Sequence, residues 1–284
     1  MKWLFIFCSL LTILNAKDLI VWSETDLPPI FIVEGKDKGN GYAQKVTQEL
    51  QKELFEYNHI VEENTIARSL KLLENTDYSC YSLLWSKKRA KYTLFSKPVF
   101  LTFPNGLIIR KEDKSKYLQY MNTKGEINLD KLFSDDDLIF GRVNKMKFGS
   151  FIDEKLNNHN YGMNISYFNK QTNLIKMFAS YKRVDYVIAY YNNIKYQMEE
   201  LNLSNSLEYI KIKGINVHPA YIGCSKSNMG KYVINKINRI IVKNRDSKYI
   251  KYATSYLDEN QARYLKKNAK KLFKEYDKII VNEK

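Results

Sequence analysis

The chain has 284 residues, 44% of them hydrophobic, with 46 Lys and Arg against 31 Asp and Glu for a formal charge of +15. That length and apolar content support one large or two medium domains. The excess charge is lysine scattered along a sequence rich in Asn, Ile and Tyr rather than gathered in one arm, which argues against nucleic acid as a partner.

Residues 1–16 carry one charge, Lys2, before an apolar run over residues 3–14 and the small residue Ala16, the pattern of a cleavable export signal. The run is about a dozen residues, short of the roughly 20 that span a bilayer. Cys8 lies inside it rather than at its end, unlike a lipid-attachment cysteine. Cleavage near Ala16 leaves Cys80 and Cys224, too few for a disulfide-built scaffold and without Cys/His spacing for zinc, so no metal or other cofactor is expected. Both cysteines sit in apolar runs, where two buried free thiols are the expectation and a disulfide the alternative.

Leu19-Ile20-Val21-Trp22 reads as a short buried strand, and Leu27-Pro28-Pro29-Ile30-Phe31 as an extended loop, because each proline fixes its own backbone and restricts its predecessor. From Tyr42 the spacing of Val46, Leu50 and Leu54 predicts an amphipathic helix. A strand over residues 59–62, a helix through Ala67, Leu70 and Leu73, and a strand over 78–84 complete a βαβαβ alternation. Such alternation predicts a mostly parallel sheet with helices on its faces and a ligand at the carboxyl ends of its strands. A second α/β unit follows the strand Gly106-Leu107-Ile108-Ile109 and the polar run 110–116, with strands at 138–141 and 186–190 and a helix opening at Phe148-Gly149-Ser150. Asp135-Asp136-Asp137 reads as a solvated turn rather than a cation site. After the strand Ala220-Tyr221-Ile222-Gly223-Cys224 come two helical stretches, the last with Leu265, Leu272, Phe273 and Tyr276 on one face and lysines opposite. Packing on its own domain is the expectation for that helix, and a membrane surface the alternative.

The stretch from Ser79 to Phe100 carries the clearest chemistry: an apolar strand, the basic turn Trp85-Ser86-Lys87-Lys88-Arg89, then Phe95-Ser96-Lys97-Pro98. A turn after a buried strand offers backbone N–H groups, and an arginine adds a planar fork that takes a carboxylate through two hydrogen bonds. Arg68, near a helix start, is another candidate for an anionic ligand, and Trp22, Phe31, Tyr81, Trp85, Tyr190 and Tyr191 are candidate stacking surfaces.

The succession of first strand, Pro-Pro-Ile-Phe loop, Gly41-Tyr42 opening a helix, Asp77 before a strand, Lys88-Arg89, and Phe95-Ser96-Lys97-Pro98 resembles the family 3 extracellular solute-binding proteins over residues 18–260. The resemblance implies a two-lobed type II periplasmic binding protein fold, α/β in each lobe, with two hinge crossovers and a ligand trapped by lobe closure. Lobe 1 is expected at 17–109 plus 214–284 and lobe 2 at 110–213. By the same resemblance, Arg89 matches the arginine that grips the ligand's carboxylate. Tyr81 and Ser82 line the same pocket, and Glu24 matches an acidic position at the end of the first strand. Gly149 and Ser150 match the helix start of the second lobe, with Arg142 near a basic ligand contact. Tyr190 stands where amino-acid binders carry the Asp that pairs with the ligand's ammonium group, which puts ordinary α-amino acids in doubt.

The expected function is therefore periplasmic capture of a small polar or anionic solute by a monomer, for uptake through the membrane permease of an ABC-type transporter. A ligand-sensing subunit for a membrane receptor is the alternative. A dehydratase-like enzyme on the same fold is a third reading, for which Glu24 is the one candidate acid, and no nucleophile–base pair, phosphate loop or metal spacing accompanies it.

Overall fold

The computed structural model describes residues 17–144, 146, 148–157, 161–169, 171–203 and 207–282, so the expected export signal lies outside the described residues. The chain opens with β1 (Leu19–Glu24), α1 (Tyr42–Glu53), β2 (Asn58–Glu63), α2 (Ile66–Asn75) and β3 (Ser79–Leu84), followed by the short strands β4 (Thr93–Phe95) and β5 (Phe100–Thr102). The apolar run of β1 is buried from Ile20 onward and pairs in parallel with β2 on one side and β3 on the other. The helical spacing read from the sequence lies against this sheet, α1 burying Tyr42, Val46 and Leu50.

The second unit comprises β6 (Gly106–Arg110), α3 (Lys114–Tyr117), α4 (Leu129–Phe133), β7 (Ile139–Val143), α5 (Ser150–Leu156), β8 (Asn164–Phe168), α6 (Gln171–Ala179), β9 (Tyr186–Ala189), α7 (Tyr191–Glu200) and β10 (Leu207–Ile210). Its sheet runs β10-β6-β9-β7-β8. The chain then returns as β11 (His218–Ser225), α8 (Asn228–Asn244), α9 (Ile250–Thr254) and α10 (Glu259–Asn282). β11 enters the first sheet, whose order is β2-β1-β3-β11-β4 with β5 also on β11. Two α/β lobes result, each with its own buried core.

Parallel pairing joins β1 to β2 and β3, and β7 to β8 and β9, as the βαβ pattern requires. β6, β10 and β11 pair antiparallel, so both sheets are mixed where the chain passes between lobes. The strand Gly106–Arg110, expected to end the first unit, stands in the second sheet between β10 and β9.

Arg110, the first residue of the polar run 110–116, is 3% exposed. Its Nε donates to Asp113 at 2.5 Å and its Nη1 to the carbonyls of Phe178 and Val184 at 2.8 Å each, with Asp185 3.6 Å from Nη2. A buried guanidinium is tolerable only with such saturation.

The expectation of two free thiols is also corrected: Cys80 and Cys224 form a disulfide. They are directly opposite on the antiparallel pair β3–β11, with Cα atoms 4.1 Å apart, so strand register brings the two sulfurs together.

α10 packs on its own protein through Leu265, Ala269 and Phe273, against Leu101, Val217 and Ile250. Arg245 clamps it with two bonds to Asp277, at 2.8 and 2.6 Å. No helix among the described residues is long and apolar enough to cross a membrane.

Candidate functional site

β1 and β3 pair only as far as Ser23 and Tyr81. Beyond that point they diverge, opening the carboxyl edge of the first sheet. Thr25, just past β1, accepts from the Tyr81 hydroxyl at 3.1 Å, and Phe31 stacks on Tyr81 with ring centroids 6.1 Å apart. Ser82 stays in the ladder opposite Ile222 of β11.

Arg89 sits in a single 3₁₀ turn after β3 and folds back, Nη1 donating to the Leu84 carbonyl at 2.7 Å. It makes no ion pair among the described residues, so Nε and Nη2 remain available on a half-buried guanidinium. Burial pushes the Tyr81 phenol up, opposed by the Thr25 hydrogen bond and by the Arg89 charge, which places that guanidinium within electrostatic reach of the phenol. An available N–H fork within electrostatic reach of a phenol suits a carboxylate or similar oxyanion.

Glu24 is 9% exposed and held by Gln44, whose Nε2 donates to Oε2 at 2.5 Å. The Gln44 Oε1 in turn accepts from the backbone N–H groups of Ile32 at 2.8 Å and Gly41 at 2.9 Å. Burial pushes the Glu24 carboxyl up; the Gln44 hydrogen bond opposes this, and nearby Glu63 adds to it. Gln44 was missed in reading the sequence; with no side chain on Gly41, only the return half of a capping box forms, the Gln44 side chain accepting from the Gly41 N–H.

In the second lobe, Arg142 lies in β7, but Nη2 donates to the Met146 carbonyl at 3.1 Å and the guanidinium covers the Phe148 ring at 5.6 Å. Its charge, expected near a ligand contact, is folded onto Met146 and Phe148, with Nε buried and without a hydrogen-bond partner. Gly149 has φ +100° and precedes Ser150, the first residue of α5; that positive φ is what a glycine permits. Asp153 of α5 accepts from the Phe148 N–H at 3.1 Å, and Asn105, on the chain segment leading from β5 to β6, donates to the Phe148 carbonyl at 3.1 Å. Asn105 carried no sequence signal.

Tyr190 caps α7 and is pushed up by burial. Tyr42, at the start of α1, is pushed up by burial and by Tyr190, and it shares a hydrogen bond with Asn192. Asn193 of α7 donates to the Pro28 carbonyl at 2.6 Å, so the Pro-Pro loop and α7 join the lobes at this edge.

The remaining candidates divide between core and surface. Trp22 is core, its indole donating to His59 at 3.1 Å, and Phe31 is core apart from its face on Tyr81. Trp85 packs partly on the first core, Arg68 is exposed in the first turn of α2, and Tyr191 faces a separate cavity behind the cleft. Asp135 of the acidic turn accepts from the Tyr120 hydroxyl, and no group of three His, Cys, Asp or Glu among the described residues is placed to hold a metal.

The sequence matches the bacterial extracellular solute-binding proteins, family 3, over residues 19–284. The fold is similar to that of the probable amino-acid ABC transporter extracellular-binding protein ytmK of Bacillus subtilis, at 17% identity and a TM-score of 0.64, covering 87% of this chain and 100% of that one. It is also similar to a histidine kinase sensor domain with similarity to periplasmic binding proteins, at 15% identity and a TM-score of 0.59, covering 86% and 97%. An ancestral arginine-binding protein bound to arginine gives 16% identity and a TM-score of 0.59, covering 85% and 98%. At these identities the likeness concerns the fold alone. Among curated proteins, none matches the chain by sequence.

Proposed function

The chain belongs to the bacterial extracellular solute-binding proteins of family 3, and on that premise we propose that it is exported to the periplasm, where it captures a small polar or anionic solute between its lobes and hands it to the permease of an ABC-type transporter. The observation that supports this reading is the available fork of Arg89 in the turn after β3, within electrostatic reach of the Tyr81 phenol. Glu24, Ser82, Trp85 and Arg68 complete the first-lobe side, while Arg142, Gly149, Ser150 and Tyr190 form the facing side. Tyr190 supplies no carboxylate for an ammonium group, so the solute is read as an acid or a neutral polar molecule rather than an ordinary α-amino acid. The protein acts as a monomer and binds without transforming its ligand.

A thermal-shift screen of the chain from Lys17 onward against organic acids, amino acids, amines and oligopeptides tests this, since a ligand at a hundred times its Kd stabilises by roughly 2.7 kcal/mol. A shift with acids that vanishes in Arg89→Ala supports the reading; a shift unaffected by that change moves the site elsewhere. The likeness to a histidine kinase sensor domain supports a sensory role as the second reading. A neighbouring permease and ATPase gene pair favours uptake, and a neighbouring histidine-kinase gene favours sensing.

A further inference from the structure

Behind the cleft, a cavity of about 890 Å³ is bounded by Phe103 and Pro104 of the segment between β5 and β6, by β10 of the second sheet and by α10. Its walls are aromatic. Phe103 lies 6.3 Å from Tyr209 and 5.9 Å from Tyr264, and Tyr191 lies 6.4 Å from Tyr209, centroid to centroid. Gln261 lines it too, and although it is 6% exposed, neither its Nε2 nor its Oε1 has a hydrogen-bond partner. A buried amide left unmatched at both ends costs free energy unless something with a donor and an acceptor meets it.

The charges around the cavity are mostly paired. Lys114 holds Glu208 at 2.6 Å, Lys211 holds Glu126 at 2.8 Å, Glu259 is bound by Arg263, and Glu275 lies 4.0 Å from Lys271. Lys111 is exposed at the rim. Asp258 makes no ion pair among the described residues; its Oδ1 accepts from the Gln261 backbone N–H at 2.9 Å, and its charge is felt by both Tyr191 and Tyr209. An available carboxylate beside several aromatic rings is the composition that recognises an organic ammonium ion, by charge and by cation–π attraction together.

We propose that this cavity is a second ligand site, separate from the interlobe cleft, which takes a compact organic cation carrying a group that hydrogen-bonds to the Gln261 amide. The proposal does not depend on which solute the cleft takes. Because its walls come from β10 of the second sheet, from the segment between β5 and β6 and from α10, which packs on Leu101 and Ile250 of the first lobe, an occupant touches both lobes at once.

Isothermal titration of the chain from Lys17 onward with choline chloride, and separately with phenethylammonium chloride, tests it. Asp258→Asn keeps an acceptor for the Gln261 backbone and removes the charge. The expected result is saturable binding of at least one cation, weakened about tenfold or more in D258N, the scale of a desolvated cation contact, and unchanged in Arg89→Ala. Should D258N lower the thermal midpoint, Gln261→Met, which removes the amide at similar volume, gives the same comparison. Binding of neither cation, equal binding by the wild type and the substituted protein, or a loss that follows Arg89→Ala instead, overturns the proposal.

Discussion

In the first lobe, β3 and β11 are tied through Cys80 and Cys224 across 144 residues of chain. In the second, β6 is tied to the ends of α6 and β9 through Arg110, which gathers Asp113, Asp185 and the carbonyls of Phe178 and Val184. The two fastenings answer to different conditions, redox potential in one lobe and proton activity in the other. The walls of the cleft differ in the same way. The first lobe presents an arginine with donors still available, whereas Arg142 of the second lobe is folded onto Met146 and Phe148. On the proposed function, a ligand would anchor first on lobe 1 and lobe 2 would close over it, the division of labour of hinge closure.

The largest effect expected is from opening the disulfide. On the chain-entropy account, a loop of this length contributes about 4–5 kcal/mol, so reduction, or the double change Cys80→Ala and Cys224→Ala, should lower the unfolding free energy by that order in urea. Equal midpoints for oxidised and reduced protein would show that strand packing holds the lobe unaided. Replacing Arg110 with Met should cost about 3 kcal/mol, because Asp185 and two carbonyls lose their buried donor; Asp113 keeps Lys116 at 2.8 Å. The fastening of the second lobe should also weaken in acid. Burial pushes the Asp113 carboxyl up, but the hydrogen bonds from Lys116 and Arg110 outweigh it and leave the carboxyl below its ordinary 3.8. A depressed carboxylate stabilises above its ordinary pKa and loses that contribution as pH falls through the depressed value. In Arg110→Met, this acid sensitivity should diminish.

At the cleft, Arg89→Ala should weaken the ligand found by screening by about 2–5 kcal/mol if the guanidinium meets a desolvated carboxylate. Isothermal titration giving unchanged affinity would remove Arg89 from the site. Tyr190→Asp should improve the binding of α-amino acids if the missing counter-charge for their ammonium is what excludes them; no gain in a titration with a panel of them would show that the pocket differs more deeply.

Much of this arrangement is legible in the residues. The spacing of Val46, Leu50 and Leu54 gives α1 because that signal is local, whereas the Leu27–Phe31 loop, expected to be extended, closes as a turn in which Leu27 bridges Phe31. What escapes is what depends on register and partners. Whether Cys80 meets Cys224 is decided by the pairing of β3 with β11, which neither strand's sequence specifies. The burial of Arg110, at the head of a polar run, shows only once the ends of α6 and β9 supply its acceptors. Trp22 and Phe31 look like stacking surfaces because an aromatic side chain has the same sequence appearance in a core as in a cleft.

Glu24 offers the smallest effect and the sharpest test of whether the first-lobe wall is built before ligand arrives. Its carboxyl is raised above the ordinary 4.5 chiefly by burial. A raised carboxyl favours folding in its protonated form, so that contribution is complete below the ordinary pKa and is lost as pH rises through the raised one. Glu24→Gln keeps an acceptor for the Gln44 amide, so the network through Ile32 and Gly41 should survive. The substituted protein should gain in thermal midpoint relative to the wild type as pH climbs from acid to neutral, and a gap that stays constant across that range would mean that solvent reaches the carboxylate and the wall is assembled only around a ligand.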